Sequence, residues 1–315
     1  MEIFSSIKEF GESQKGNPVV LSIGMFDGVH LGHQAVLEET TKVARAMNAI
    51  PVAFTFPEHP GSFLRPGDQP PLIMDSQTKA KMLLQYGVSG VVMRRFDQKL
   101  ANVEAKDFIA FLQGLIPSLV GICVGQNFRF GQKRVGDSQF LLKSGKLKGV
   151  NVHIIDSKTS GTEPVSSSRI RMALTQGKIE QVNKMLGSPY RIKGVVKPGK
   201  AMGRTIGFPT LNVDWNPEAK PAYGVYAGTV NTEEKEVYAV ANYGLRPTLE
   251  SEALIPKLEI HALGSLNPDI WKAGIEISMQ LLQFIRHEQK FESLESLKEQ
   301  ITQDKQTAEK LRKIG

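Results

Sequence analysis

The sequence contains almost no cysteine and no long apolar run. Cys123 is the only cysteine among the 315 residues, so a disulfide within the chain and a cysteine-based zinc cluster are both excluded. No apolar stretch approaches the ~18 residues that a bilayer-spanning helix needs. Acidic residues also interrupt the N-terminus, which lacks the apolar segment of a signal peptide. We therefore expect a cytoplasmic protein with no membrane partner.

The basic residues are scattered along the chain, although the net charge is +7 and the pI is about 9.3. The sequence carries no zinc-finger, helix-turn-helix or RNA-recognition signature. A positive surface also suits small substrates that are rich in phosphate. We therefore expect small-molecule substrates and no nucleic-acid partner, and the sequence leaves a homo-oligomer open.

Strand-like and helix-like segments alternate through the first half of the chain. The buried-strand run 19–23 leads into a glycine-rich turn, and a helical apolar stripe follows from Val36 to Met47. The same alternation continues to Ile155. Such alternation predicts a parallel sheet that is covered by helices on both faces. Ligands of such sheets bind at the carboxyl ends of the strands.

A pair of histidines, His30 and His33, stands at this edge, where the first long helix is predicted to begin. Their spacing places both imidazoles on the same side of the helix, next to backbone N–H groups that favour a phosphate. Gly32 allows the backbone to come close to a ligand. A metal site is the main alternative, although no third ligand is nearby. A purely structural capping role is the other alternative.

The second notable stretch runs from Val195 to Asn212. A strand-like run ends at Pro198, and a glycine-rich basic loop follows. If the chain is extended at Thr210 and Asn212, their two neutral oxygens lie on one face, and such oxygens suit Mg²⁺ together with substrate phosphates. A P-loop is excluded because Ala201 replaces the metal-binding hydroxyl. A tight turn between strands, with a packed Phe208, is the structural alternative.

The chain breaks at Gly187-Ser188-Pro189, which predicts two domains, 1–186 and 187–315. The pattern after the break has a period of two, and successive strands without helical crossovers predict a small antiparallel barrel. Ser293 is the predicted N-cap of a terminal helix. The predicted barrel strands are 190–197, 224–231, 236–242, 257–262 and 275–284.

The ten residues from Gly203 to Asn212 resemble the signature of riboflavin kinase. This resemblance implies that Glu259 is the catalytic base, which accepts a proton from the primary alcohol of riboflavin. It also implies a Mg²⁺ ion at Thr210 and Asn212. The implied ATP-binding residues are Gly199, Lys200, Gly203, Arg204, Thr210 and Asn212, and the implied flavin-binding residues are Phe208, Arg286 and Phe291.

Four stretches of the first half, 24–33, 55–60, 124–137 and 165–171, resemble the FAD synthetase module of bacterial bifunctional riboflavin kinase/FAD synthetases, within the nucleotidyltransferase superfamily. The resemblance implies that His30 and His33 are catalytic and handle the ATP phosphates. The implied ATP-binding residues are Gly24, Phe26, Asp27, His30, Gly32, His33, Ser166, Ser167 and Arg171. The implied flavin-binding residues are Asn127, Phe128 and Phe56.

Two of the departures of this sequence from the family bear on the activities. Pro57 and Glu58 appear in swapped order, and Lys272 stands where the family has a glycine. We expect an α/β protein in which a Rossmann-like nucleotidyltransferase domain precedes a β-barrel kinase domain with a terminal helix. Its reactions would convert riboflavin to FMN and FMN to FAD, with ATP used in both. The alternatives are a kinase with a degenerate first domain and a flavin-sensing or RNA-binding regulator.

Overall fold

The structure is a computed structural model that describes residues 2–14, 16–199, 207–231, 236–245, 256–264 and 272–312. The chain forms two compact units, Met1–Ser167 and Ser168–Gly315. This division falls earlier than the break at Gly187, and the domain boundary at Leu186 stays a prediction.

The first unit is built on a six-stranded sheet with the order β1-β4-β3-β2-β5-β8. All of its strand pairs are parallel, as predicted. The central strand β2 pairs with β3 on one side and with β5 on the other, so the strand order reverses at β2. The strands of this unit are β1 (Glu2–Phe4), β2 (Val19–Ile23), β3 (Ile50–Thr55), β4 (Gly90–Met93), β5 (Leu119–Gly125), β6 (Arg129–Phe130), β7 (Gly136–Asp137), β8 (Asn151–Ile155), β9 (Thr159–Ser160) and β10 (Glu163–Pro164).

Helices cover both faces of this sheet. Successive residues of β2 point to opposite faces, so Leu21 belongs to one apolar core and Val20 to the other. Each such buried side chain contributes roughly 1.5–3 kcal/mol of hydrophobic stabilisation. The helices are α1 (Ile7–Ser13), α2 (Leu31–Ala46), α3 (Gly61–Leu64), α4 (Ser76–Gln85), α5 (Gln98–Ala101), α6 (Phe108–Leu115) and α7 (Ser138–Lys148), with 3-10 turns at Ala105–Asp107 and Gln132–Arg134.

The second unit contains a closed antiparallel barrel with the strand order β11-β12-β15-β14-β13-β16. This confirms the predicted barrel, and it adds a strand at 211–214 that carries Asn212. The barrel strands are β11 (Tyr190–Lys197), β12 (Leu211–Asp214), β13 (Gly224–Asn231), β14 (Glu236–Leu245), β15 (Pro256–Ala262) and β16 (Glu276–His287). Two helices, α8 (Ser167–Thr175) and α9 (Ile179–Leu186), precede the barrel, and α8 begins at the last residue of the first unit.

The terminal helix α10 (Leu294–Arg312) begins where it was predicted. The Ser293 hydroxyl oxygen accepts a hydrogen bond from the Ser296 backbone N–H at 3.1 Å, which is the expected cap. Ala308 is fully buried in a cluster with Val225, Ala227 and Val240 of the barrel. Within the described part of the chain, no helix is both long enough and apolar enough to cross a bilayer.

Two candidate active sites

The loop that follows β2 is held in an unusual backbone conformation. Phe26 and Val29 have positive φ angles of 50° and 40°, which non-glycine residues rarely adopt. Both side chains are almost completely buried, and this packing offsets the backbone strain. A Cβ atom on Gly24 would lie 3.2 Å from the Phe26 ring, so a glycine at this position lets the ring fold back over the strand end.

His30 and His33 meet face to face at the N-terminus of α2. Their ring centroids are 3.6 Å apart, with 15° between the ring planes. His30 is the N-cap, and its Nδ1 atom accepts from the His33 backbone N–H at 3.4 Å. A Cβ atom on Gly32 would lie 3.2 Å from the His30 ring, so a side chain there would push against the stack. The predicted helix start and the shared side of both imidazoles are confirmed.

Both histidines are neutral at pH 7. Burial lowers the pKa of His30 to about 4. Burial also lowers the pKa of His33 well below its ordinary value, with smaller contributions from His30 and Lys79. The His30 Nδ1 atom accepts a hydrogen bond, so the ring proton of His30 is on Nε2. His33 as a whole residue is half-buried, and its Nδ1 atom is enclosed and has no hydrogen-bond partner among the described residues, which also favours the Nε2–H tautomer.

Asp27 connects the loop to the segment before α4. Its side chain is 1% exposed, and its carboxylate oxygens accept from the Ile73 backbone N–H at 2.9 and 3.2 Å. The backbone carbonyl of Asp27 accepts from the Ser167 hydroxyl at 2.9 Å. The predicted residues Ser166 and Ser167 are therefore next to this loop at the start of α8. Arg171 lies further along α8, in the second unit.

The residues predicted to bind flavin in the first unit lie where β3 and β5 end. Phe56 follows β3 and makes an edge contact with Phe54, with ring centroids 5.5 Å apart. Asn127 follows β5, is exposed, and donates to the Ser157 hydroxyl oxygen at 3.4 Å. Phe128 stacks on Phe130 with centroids 5.6 Å apart. Because β3 and β5 flank β2, these residues share one sheet edge with the histidine loop.

The sequence motifs do not include Lys79 of α4 among the predicted site residues. Its side chain is 1% exposed, and its Nζ atom donates to the backbone carbonyls of Phe56 at 2.6 Å and Met25 at 3.2 Å. Burial lowers the pKa of Lys79 to about 8, against the opposing effect of Asp27. A signal was present, because Lys79 stands one helical turn before Leu83 on the apolar side of α4, where a lysine is unexpected.

The second candidate site is a polar row across four strands of the barrel. Strand register places Lys197 opposite Asn212, Asn212 opposite Glu259, and Glu259 opposite Asn242. The neighbouring residues in sequence, such as Leu211 and Val213 on β12 and Leu258 and Ile260 on β15, are buried in the barrel. The polar row therefore lies on the outer face of the barrel. Thr210 immediately precedes strand β12, two residues before Asn212.

Three contacts fix the described part of the loop before β12. A Cβ atom on Gly199 would overlap the Asn212 side-chain amide, so the Gly199 backbone lies directly against that amide. The His261 Nδ1 atom is 2.8 Å from the carbonyl oxygen of Pro209 and donates its proton to it. The Phe208 ring makes an edge contact with His261 at 5.7 Å between centroids. The predicted residues Lys200, Gly203 and Arg204 lie outside the described residues.

The donor set of this row fits a magnesium ion that brings phosphate oxygens with it. Thr210 and Asn212 supply neutral oxygens, and Glu259 adds a carboxylate next to them. Among the described residues, no group of three or more histidine, cysteine, aspartate or glutamate side chains could hold a metal alone. A metal here would therefore need further ligands, such as substrate and water oxygens.

Arg286 of β16 is held by the terminal helix. Its Nε atom donates to Asp304 Oδ1 at 3.0 Å, and its Nη2 atom donates to Oδ2 at 2.8 Å. The Asp304 side chain is 3% exposed, so this is a mostly buried bidentate ion pair. The Arg286 guanidinium also lies 5.7 Å from the centroid of the Phe291 ring. The flavin-binding role of Arg286 and Phe291 stays a prediction.

Comparison with known proteins assigns both units to enzyme families. The family model of FAD synthetase matches residues 12–169, and the family model of riboflavin kinase matches residues 186–312. The bifunctional riboflavin kinase/FMN adenylyltransferase of Escherichia coli K12 is 36% identical over 92% of this chain and 91% of its own length. The protein of the same name from Bacillus subtilis is 34% identical over 92% of this chain and 91% of its own length.

A solved structure shares the complete fold. A crystal structure described as a macrolide-efflux protein from Streptococcus pneumoniae superposes with a TM-score of 0.85 and 26% sequence identity, and the match covers 98% of both chains. The order of the two family matches and the two folds agree with the order expected from the sequence. The chain belongs to the bifunctional riboflavin kinase/FMN adenylyltransferase family, whose members use ATP to phosphorylate riboflavin to FMN and to adenylylate FMN to FAD.

Proposed function

We propose that this chain makes FAD at the sheet edge around His30 and His33, and makes FMN on the outer face of the barrel around Thr210, Asn212 and Glu259. The observation that carries the first assignment is the stacked pair of neutral histidines at the N-terminus of α2. For the second assignment it is the strand register that places Asn212 directly opposite Glu259.

In the first site, an oxygen of the FMN phosphate attacks the α-phosphorus of ATP, and pyrophosphate leaves. Negative charge grows on the phosphate oxygens during this step, so preorganised hydrogen-bond donors accelerate it. The Nε2–H groups of His30 and His33 supply two such donors, and the backbone N–H groups that begin α2 add to them. Because both rings are neutral, they act as hydrogen-bond donors without being cations.

Further residues orient the two substrates at this edge. Gly24, Phe26 and Asp27 form the loop that brings the histidines to the phosphates, and Gly32 permits their stacking. Ser166 and Ser167 contribute hydroxyl groups at the start of α8, and Arg171 contributes a guanidinium to the triphosphate. Phe56, Asn127 and Phe128 hold the flavin at the ends of the two flanking strands.

In the second site, the primary hydroxyl of riboflavin attacks the γ-phosphorus of ATP, and ADP leaves. Glu259 accepts the hydroxyl proton as the new oxygen–phosphorus bond forms. Thr210 and Asn212 would hold Mg²⁺, which neutralises charge on the ATP phosphates when it is bound. Gly199, Lys200, Gly203 and Arg204 complete the nucleotide loop, and Phe208, Arg286 and Phe291 contact the flavin.

The cellular setting is part of this proposal. We expect the enzyme in the cytoplasm, because both reactions consume ATP. We expect it to act on small molecules without nucleic acid, and the proposal is compatible with a homo-oligomer.

The test is a set of single variants in which riboflavin, FMN and FAD are separated after incubation with ATP and Mg²⁺. His30→Ala should reduce FAD formation by about 10²-fold or more, the scale of losing a preorganised donor, while FMN formation is unchanged. Glu259→Ala and Asn212→Ala should reduce FMN formation and spare FAD formation when FMN is supplied. His153→Ala on the edge strand β8 is the control and should change neither rate. Equal loss of both activities in any one variant would contradict two separate sites.

A further inference from the structure

Lys79 is a buried ammonium group with two backbone acceptors from two different loops. Met25, whose carbonyl accepts from Nζ at 3.2 Å, belongs to the histidine loop that follows β2. Phe56, whose carbonyl accepts at 2.6 Å, belongs to the loop that follows β3. The first loop is on the ATP side of the proposed site, and the second is on the flavin side. One side chain therefore connects the two halves of the site.

Neighbouring contacts strengthen this connection. The Met25 carbonyl also accepts from the Thr55 hydroxyl at 3.0 Å, which ties the last residue of β3 to the same point. The Asp27 carboxylate accepts from the Ile73 backbone N–H, just before α4 begins. Helix α4 and the segment that leads into it are therefore anchored to the histidine loop at both Met25 and Asp27.

The fold alone does not call for a lysine at this position. The side chain faces the apolar core that contains Ala80 and Leu83. Placing an ammonium group there carries a large desolvation cost, which an apolar residue of similar volume would avoid. Asp27, which is also buried, offsets part of that cost. What an apolar residue could not supply is the pair of hydrogen bonds that joins the two loops.

We propose that Lys79 is a positioning residue for FMN adenylylation, which holds the ATP-side loop and the flavin-side loop at a fixed separation. This inference rests on the proposed first site. In-line attack by the FMN phosphate requires that both substrates be aligned, and a displacement of about 1 Å can lower a rate by about 10²-fold. Lys79 acts through the two carbonyls and contacts neither substrate.

The test compares Lys79→Met with Lys81→Met. Methionine keeps most of the side-chain volume and removes the donors, and Lys81 is an exposed lysine on the same helix. In Lys79→Met we expect the kcat for FAD formation to fall by about 10²-fold, while the KM values for ATP and FMN change by less than about threefold. Riboflavin phosphorylation by the same protein should be unchanged. Lys81→Met should match the wild type in both reactions.

Several outcomes would overturn this inference. One is a normal kcat for FAD formation in Lys79→Met with only a lowered unfolding temperature, which would make Lys79 purely structural. Another is a raised KM with unchanged kcat. If His30→Ala impairs FAD formation and Lys79→Met does not, only the role of Lys79 is wrong. If neither variant impairs it, the proposed site itself is wrong.

A second variant keeps the inference testable if Lys79→Met does not fold. Thr55→Val removes the other donor to the Met25 carbonyl and leaves Lys79 in place. We expect it to lower the kcat for FAD formation by roughly three- to tenfold, because one of two supports of the same carbonyl is lost. An unchanged kcat in a folded Thr55→Val protein would contradict the requirement for a fixed loop position.

Discussion

Lowering the pH should destabilise the first unit because His30 resists protonation in the folded state. The pKa of His30 is about 4 in the folded protein, against an ordinary value of 6.5. As the pH falls from 6.5 towards 4, the unfolded chain binds a proton at this residue that the folded chain does not bind. The stabilising effect is thus present above pH 6.5 and is lost as the pH falls through this window.

The size of the effect follows from the two pKa values. At pH 5, the difference corresponds to a loss of about 2 kcal/mol in the free energy of unfolding relative to pH 7.5. His33 shifts the stability in the same direction, because its pKa is also lowered by burial. The total loss from the pair should therefore exceed the value for His30 alone.

Two measurements test this prediction. Histidine labelled with ¹⁵N gives few NMR signals, because the chain has six histidines, and the spectrum of His30→Asn assigns the signal of His30. We expect a neutral ring with its proton on Nε2 at pH 5. Urea unfolding followed by circular dichroism gives the free energy. The barrel transition can be followed separately, since both tryptophans, Trp215 and Trp271, lie in the second unit.

The variant His30→Asn serves as the stability control. Asparagine can still cap α2, but it does not titrate, so the loss of stability between pH 7.5 and pH 5 should be smaller in this variant by about 2 kcal/mol. A His30 signal that titrates between pH 6 and 7, or a ring proton on Nδ1 at neutral pH, would refute the reasoning. Equal pH dependence in both proteins would refute it as well.

Two further predictions concern the barrel. In Gly199→Ala, the added methyl group overlaps the Asn212 amide. FMN formation should therefore fall by at least about tenfold, while FAD formation from FMN is unchanged. The control is Gly114→Ala, in which the added methyl group meets no atom within 4 Å. In Asp304→Ala, Arg286 loses its partner in a mostly buried ion pair, which should lower the free energy of unfolding of the barrel by about 3 kcal/mol. Urea titration followed by tryptophan fluorescence measures this loss. An unchanged unfolding midpoint would contradict the prediction.

Much of the fold follows from local patterns. Residues 19–23 are four apolar residues and one small serine, and all of them are buried in β2. The apolar stripe that follows has helical spacing and forms α2. The first strand–turn–helix unit can therefore be predicted from the sequence. The edge strand β1 was not predicted. It has three residues, of which only Phe4 is buried, and so short a segment carries no periodicity.

The two sites can be predicted from the sequence only in part, because strand register and side-chain burial depend on the complete fold. The spacing of two residues predicts that the side chains of Thr210 and Asn212 lie on one face of an extended segment. Only the strand pairing shows that Asn212 lies opposite Glu259. The partners of Lys79 likewise depend on how α4 packs over the sheet. The sequence shows an unexpected lysine on an apolar face, and it does not show which carbonyls that lysine reaches.

The neutral histidines also determine how the pH dependence of FAD formation should be interpreted. A loss of activity near pH 6 would ordinarily suggest protonation of a catalytic histidine. Here His30 has a pKa of about 4 and that of His33 is also lowered, so neither changes state near pH 6. The dianion of a phosphate monoester takes up one proton at about pH 6, and the attacking group is the FMN phosphate. A loss of activity near pH 6 would therefore reflect protonation of the FMN phosphate. The same loss should be seen in a His30→Asn enzyme that retains measurable activity.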